Sequence, residues 1–267
     1  MIEMLNLELI ILGMLAGILA GMFGIGGGVI IVPALVVIFG FNLTLASGTS
    51  LFALMLPVGI LAVIQYYKKG LISIKSSGLI AFGLALGVAF GANIAISLPI
   101  TTLKQFYGIF LLYVCYNFFD ISSILKKKFG KNQEIEIKED KSRNDKIIGL
   151  LGLGLLAGVL SGLFGIGGGL VIVPFLVTFM KYDTKKAIGT SLGALLLPVG
   201  LPGVLVYYNA GNLNLNYALF VSIGLLIGAF FGANITLKLS GKLIKKVYAV
   251  FLLIVAMNFL FGAIFNK

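Results

Sequence analysis

The sequence predicts an all-α polytopic membrane protein built from two inverted-topology repeats of about five membrane segments each. Three observations predict this fold: the composition, an internal duplication and the placement of the basic residues. Of the 267 residues, 60% are hydrophobic and only 11% are charged, and the mean hydropathy is +1.12. A soluble domain carries about a quarter charged residues, so this composition excludes an ordinary soluble enzyme. It leaves a membrane-embedded helical bundle.

The chain contains two copies of one unit. The glycine-rich run Gly21–Gly28 recurs as Gly162–Gly169, an offset of 141 residues. Without a gap, the same offset aligns the Gly-Thr-Ser tripeptide at Gly48 with that at Gly189, and nearly half of the aligned positions between 13 and 118 are identical. A repeat of this length and register indicates a duplicated structural unit. We therefore predict a first membrane repeat over 1–125, a polar cytoplasmic linker over 126–146 and a second membrane repeat over 147–267.

Each copy begins with an apolar block too long for one crossing. A single helix over 5–41 would be about 55 Å long, against a hydrocarbon core of about 30 Å. The glycine-rich run is where this block would break, which joins the first two segments of each repeat at a turn. Whether that turn lies at the membrane surface or at its midplane stays open. The predicted segments are 5–22, 25–41, 45–66, 77–98 and 103–125, followed by 147–163, 166–182, 187–208, 215–237 and 244–265.

The distribution of basic residues predicts the orientation of the chain in the membrane. With five segments per copy and the linker in the cytoplasm, 18 of the 20 Lys and Arg residues fall inside, and only Lys104 and Lys267 fall outside. With four crossings per copy, eight of them would fall outside. Cytoplasmic loops are enriched in Lys and Arg, so the first arrangement is favoured. It gives inverted copies, a cytoplasmic linker and both termini outside.

Residue types that are rare or absent in the sequence exclude several kinds of functional site. The chain has no His and one cysteine, Cys115, which excludes a disulfide within the chain, a Cys/His zinc site and a His-dependent catalytic set. No Asp, Glu, Lys or Arg lies near the middle of a predicted segment. The basic residues occupy short runs between apolar blocks, where orientation in the membrane explains them better than nucleic-acid binding. We expect no enzyme activity, no catalytic residue, no metal and no cofactor.

Neutral donors remain as candidate ligands. The glycine tracts precede apolar arms, and helix N-termini there would offer free N–H groups to an anion. A tight turn between packed arms is the alternative. The hydroxyls that follow the tracts could contact an oxyanion or cap a helix, and the two intramembrane Asn amides could bond substrate or another helix. The candidate substrate-binding residues are Gly26, Gly27, Gly28, Thr49, Ser50, Asn93, Gly167, Gly168, Gly169, Thr190, Ser191 and Asn234.

The duplicated G-x-F-G-I-G-G-G-x-x-x-V-P tract, here Gly21–Pro33 and Gly162–Pro174, and the two Gly-Thr-Ser tripeptides resemble the sulfite exporter TauE/SafE family. The resemblance covers nearly the whole chain outside the linker. It implies a multi-pass permease of the bacterial inner membrane that exports small sulfur anions such as sulfite, sulfoacetate or other organosulfonates. That family is usually described with about eight helices, whereas the charge distribution predicts ten segments.

The mechanism that we expect is alternating access of the two copies around an anion, with the lipid bilayer and that anion as partners. A passive anion channel, or a transporter of another small anion, is the alternative. The transported anion, its direction, the coupling ion and the oligomeric state, a homodimer included, stay open.

Overall fold

The structure, a computed structural model, describes residues 2–23, 26–55, 60–118, 143–235, 250 and 252–261. These residues form twelve α-helices, and no strand is found among them. An all-α architecture is therefore confirmed for this part of the chain. In order the helices are α1 (Ile2–Phe23), α2 (Gly28–Val37), α3 (Leu43–Met55), α4 (Ile60–Lys68), α5 (Ile74–Ser97), α6 (Ile100–Phe118), α7 (Arg143–Phe164), α8 (Gly169–Thr178), α9 (Thr184–Leu195), α10 (Leu201–Asn209), α11 (Leu215–Ile235) and α12 (Leu252–Phe261).

The chain divides into two compact units, and each takes elements from both sequence copies. One unit comprises residues 1–98 and 144–239, and the other comprises residues 99–143 and 240–267. In the second unit the Tyr107 ring of α6 lies 5.7 Å from the Phe259 ring of α12, centroid to centroid. All of the candidate ligands belong to the first unit. The repeat boundaries at 125 and 146 remain a prediction about the duplication.

The predicted segment 187–208 of the second copy consists of two shorter helices. In the second copy α9 ends at Leu195 and α10 begins at Leu201, with Pro198 between them. Proline lacks an N–H group and clashes with the preceding turn, so it ends the helix here. In the first copy α3 ends at Met55 and α4 begins at Ile60, and the intervening residues, Pro57 among them, lie outside the described ones.

Glycines bring the long helices of the first unit into backbone contact. A Cβ atom on Gly13 of α1 would overlap the carbonyl oxygen of Val221 in α11, and one on Gly83 of α5 would overlap that of Leu151 in α7. Their neighbours one turn on meet the facing helix in the same way. Small residues at a spacing of four allow this approach where no water drives helices together. Glycines at every fourth position of an apolar segment predict close helix packing from the sequence alone, and the structure confirms that prediction.

The outer faces of these helices carry large apolar side chains. Phe82, Leu86 and Phe90 follow one another at a spacing of four on α5 and are 63%, 55% and 62% exposed. Residues four apart share one face of a helix, so the exposed face of α5 is a continuous apolar strip. Such a face requires an apolar surrounding, which lipid supplies. Of the described helices, α5 and residues Ile147–Phe164 of α7 are long and apolar enough to cross a membrane by length and composition.

Candidate functional site

The two glycine tracts meet inside the first unit. A Cβ atom on Gly26 would lie 3.4 Å from the carbonyl oxygen of Ile166, and one on Gly28 would overlap the carbonyl oxygen of Gly165. The backbones therefore touch where no side chain intervenes. The structure thus brings together two elements that lie 141 residues apart in the sequence.

Backbone conformation explains why several of these positions are glycine. The φ angles of Gly26, Gly167 and Gly168 are +77°, +79° and +74°, in the left-handed region that other residues rarely adopt. Helix α2 begins directly after Gly27 and α8 directly after Gly168, and neither cap residue makes a side-chain capping bond. The first N–H groups of a helix lack intrahelical partners and carry partial positive charge. A helix N-terminus therefore follows each tract, but in α8 the Gly169 N–H already bonds to the Gly167 carbonyl oxygen at 2.9 Å.

A cavity of about 50 Å³ lies at the junction of the tracts. Gly26 and Gly167 both line it, and so do Leu54 and Leu195; each pair occupies equivalent positions in the two copies. The surrounding side chains are apolar except for one hydroxyl, that of Ser161. The described lining residues are Gly26, Leu51, Leu54, Met55, Leu84, Ser161, Gly167, Leu195, Leu197, Val199 and Gly200.

Helix α3 holds the second tract through a hydroxyl. The Ser50 Oγ donates a hydrogen bond to the carbonyl oxygen of Gly165 at 2.7 Å, and both groups are buried. The neighbouring Thr49 is fully buried, and its Oγ1 has no hydrogen-bond partner among the described residues. Both residues lie inside α3, whose first turn is capped by the Asn42 Oδ1 accepting from the Leu45 N–H at 2.7 Å. The helix-capping alternative is therefore wrong for Thr49 and Ser50.

In the equivalent pair of α9 the threonine hydroxyl is bonded and the serine hydroxyl is not. The Thr190 Oγ1 accepts from the Ser73 N–H at 3.3 Å, and the Thr190 carbonyl oxygen accepts from the Ser77 Oγ at 2.8 Å. The Ser191 Oγ is buried and has no partner within the described ranges. In each equivalent pair, Thr49 with Thr190 and Ser50 with Ser191, one hydroxyl is bonded and the other is free. Asp183 caps α9 by accepting from the Lys185 and Lys186 N–H groups, so Thr190 and Ser191 are not capping residues either.

The structure describes the side chain of only one of the two candidate asparagines, Asn93 and Asn234. The Asn93 side chain is exposed, and its Nδ2 donates to the Ala89 carbonyl oxygen in the preceding turn at 2.8 Å. It is not one of the cavity-lining residues. Asn234 lies in α11, and its side chain falls outside the described part of the structure. Among the candidate hydroxyls, only that of Ser50 bonds to a glycine tract in the described part of the structure, whereas Thr190 bonds to residues of the loop and helix around Ser73 and Ser77.

Two side chains at this site were not singled out correctly from the sequence. Ser161 lines the cavity, but its equivalent in the first copy is Ala20, so the repeat carried no signal for it. Tyr207 lies at the end of an apolar block, a position that predicts an anchor at the membrane interface. It is instead fully buried, and its OH donates to the carbonyl oxygen of Gly162 at 2.7 Å. The anchoring prediction is wrong for Tyr207, whereas Tyr67 and Tyr208 are exposed as an anchor requires.

Comparison with known families shows the class of this protein. The family described as sulfite exporter TauE/SafE matches residues 9–259. The chain belongs to the TauE/SafE family. Its relatives include a "Probable membrane transporter protein" of Methanocaldococcus jannaschii, 32% identical over 259 residues, which cover 88% of this chain and 87% of the relative. No solved structure matches the TauE/SafE chain.

Two further relatives carry the same description. A "Probable membrane transporter protein" of Haemophilus influenzae is 30% identical over 270 residues, covering 93% of this chain and 96% of its own length. A Bacillus subtilis protein named "Probable membrane transporter protein YdhB" is 30% identical over 245 residues, covering 91% and 95%. With the apolar outer faces of its helices, the TauE/SafE protein is a helical membrane transporter.

Proposed function

We propose that this TauE/SafE protein exports small sulfur-containing anions, such as sulfite or organosulfonates, across the cell membrane by alternating access. One observation carries the proposal: equivalent glycines of the two copies, Gly26 and Gly167, line a single cavity. Half-helix N-termini that converge on one site are a recurrent way of holding an anion in transporters. The cavity would hold the anion through N–H and O–H donors, since none of its described lining residues is charged.

Reciprocal contacts support an inverted arrangement of the copies. Gly48 lies against the Asn212 carbonyl oxygen, and its equivalent Gly189 lies against the carbonyl oxygen of Leu71, the equivalent of Asn212. Exchanged contacts of this kind require an approximate twofold axis. The distribution of basic residues favours an axis in the membrane plane. Equivalent residues that share one cavity lie close to their axis, so the cavity would lie near the midplane.

The half-bonded hydroxyls support two interconverting states. Here the hydroxyls of Thr190 and Ser50 are bonded, whereas those of Thr49 and Ser191 have no partner in the part of the chain that the structure describes. In the state that faces the other side, the twofold axis exchanges these roles. A buried hydroxyl without a partner disfavours its own state by about 1–3 kcal/mol. The exchange leaves two such hydroxyls in either state, which keeps the two energies close, as a carrier requires.

The membrane potential supplies a driving force for export. An inside-negative potential favours the exit of an anion by about 2.3 kcal/mol per charge per 100 mV. The described residues that line the cavity include no Asp, Glu or His, so they offer no side-chain proton relay. We therefore expect electrogenic transport in which the anion alone moves.

The test is flux into proteoliposomes at potentials clamped by valinomycin and potassium gradients, with sulfite and sulfoacetate as substrates. Leu54→Phe and Leu195→Phe fill the cavity and should abolish flux. Leu86→Phe makes the same change on the exposed face of α5 and is the matched control, with unchanged flux. Saturable flux that follows the potential and shows counterflow supports the carrier. Flux without saturation or counterflow indicates a passive anion channel, and no flux of either anion at any potential rejects sulfur-anion export.

A further inference from the structure

We propose that Ser161 is the residue that selects oxyanions at the transport cavity. The inference rests on the transport function proposed above and names the side chain that would give it specificity. Ser161 is the one residue with a polar side chain among the described residues that line the cavity, and it is 1% exposed. A buried polar group in an apolar lining discriminates strongly between ligands that satisfy it and ligands that do not.

The hydrogen bond of Ser161 leaves its proton available to a ligand. The Ser161 Oγ accepts from the Gly167 N–H at 3.1 Å. A hydroxyl can accept two hydrogen bonds and donate one. No acceptor for the Ser161 proton occurs among the described residues, so the O–H can donate to an atom inside the cavity. Accepting from Gly167 also polarises the hydroxyl and strengthens it as a donor.

Only the second copy of the repeat supplies this hydroxyl donor. At the equivalent position of the first copy stands Ala20, whose methyl group cannot donate. The leucines that line the cavity, Leu54 and Leu195 among them, present no polar atoms. An anion in the cavity therefore meets a hydroxyl at one wall only. An oxygen acceptor satisfies that hydroxyl with a short, charge-assisted bond, whereas a halide is a weaker and less directional acceptor.

The experiment compares three variants in proteoliposomes with the wild-type protein. Ser161→Ala copies the residue of the first repeat, and Ser161→Cys keeps the size but offers a weak donor. The matched control is Ser222→Ala, which removes the hydroxyl of a fully buried serine of α11. Among the described residues, the Ser222 Oγ bonds only within its own helix, to the Ala218 carbonyl oxygen at 2.6 Å. Three quantities are measured: the KM for sulfite, the inhibition of sulfite flux by a large excess of chloride, and the thermal stability of the purified protein.

The expected result is a graded loss of selectivity. Ser161→Ala should raise the KM for sulfite about tenfold, equivalent to about 1.4 kcal/mol, and should make the flux sensitive to chloride. Ser161→Cys should fall between alanine and wild type, and Ser222→Ala should leave KM and chloride sensitivity unchanged. A merely structural serine would lower stability and maximal flux without changing the chloride sensitivity.

Two results overturn the assignment in different ways. If wild type transports sulfite saturably and Ser161→Ala keeps its KM and its resistance to chloride, the role of Ser161 is rejected and the transport proposal stands. If wild type shows no saturable sulfite flux, the transport proposal itself fails and the assignment fails with it.

Discussion

Gly28 and Gly165 belong to different copies of the repeat, yet the carbonyl oxygen of Gly165 occupies the space that a Cβ atom on Gly28 would need. The same carbonyl accepts the hydrogen bond of Ser50, so its position is fixed from a second side. The contact between the tracts therefore tolerates no side chain on Gly28.

We expect Gly28→Ala to destabilise the protein by about 1–3 kcal/mol, since an added methyl group forces the backbone of the other copy to move. Gly78→Ala is the control, because a Cβ atom on Gly78 meets no atom within 4 Å and alanine favours its helix. Thermal unfolding in detergent should show a lower Tm for Gly28→Ala only. Equal Tm values for the two variants would show that the tracts can separate freely.

Helix α7 offers a matched pair of glycines two residues apart. A Cβ atom on Gly154 would overlap the carbonyl oxygen of Ile80 in α5, whereas one on Gly152 would meet nothing within 4 Å. Gly154→Ala should therefore lower stability by about 1–3 kcal/mol. Gly152→Ala should be neutral or stabilising by up to about 1 kcal/mol, from helix propensity. Denaturation in mixed micelles measures both, and a destabilising Gly152→Ala alongside a silent Gly154→Ala would contradict the packing of α5 on α7.

Substitution by valine should have different effects at the two equivalent threonines, Thr49 and Thr190. Thr190→Val removes the acceptor of the Ser73 N–H and should cost about 1–3 kcal/mol, because the amide loses its partner. Thr49→Val replaces a buried hydroxyl that has no partner among the described residues, so stability should stay equal or rise. Transport should nevertheless slow in Thr49→Val, because the opposite-facing state needs that hydroxyl. Wild-type flux in a stabilised Thr49→Val variant would contradict the proposal that the two states exchange the roles of these hydroxyls.

The inverted topology can be tested at equivalent loops. Lys69 and Ala210 are both exposed and occupy equivalent positions in the two copies. In a background in which Cys115 is replaced by alanine, Lys69→Cys should react with a membrane-impermeant maleimide only from the cytoplasmic side. Ala210→Cys should react only from the outside. Labelling of both positions from one side would establish parallel copies, with the glycine junction away from an in-plane axis.

The duplication, the helical class and the glycine packing could all be read from the sequence because each depends on a repeated pattern. A spacing of four at Gly13 and Gly17 specifies one helix face whatever lies opposite. The meeting of the two tracts could only be guessed. Contact between Gly28 and Gly165 depends on how the copies dock, and local propensity carries no information on docking.

Sequence reasoning missed the positions of Ser161 and Tyr207 for two different reasons. Ser161 differs from Ala20, so a search for shared residues passed over it, although it lines the cavity. Tyr207 is shared with Tyr66, but its position at the end of an apolar block resembled an interfacial anchor. Its burial depends on the close approach of Gly48, whose absent side chain leaves room for the Tyr207 ring.

The reciprocal contacts between the copies have a consequence for a chain that contains one copy of the repeat alone. Gly13 packs on Val221, and their equivalents Gly154 and Ile80 pack on each other in the same way. One copy therefore carries both complementary surfaces of the junction. Two separate chains of this half-length sequence would have the self-complementary surface of a twofold homodimer. The covalent linker then contributes local concentration and a fixed one-to-one pairing, and it is not needed to create the interface.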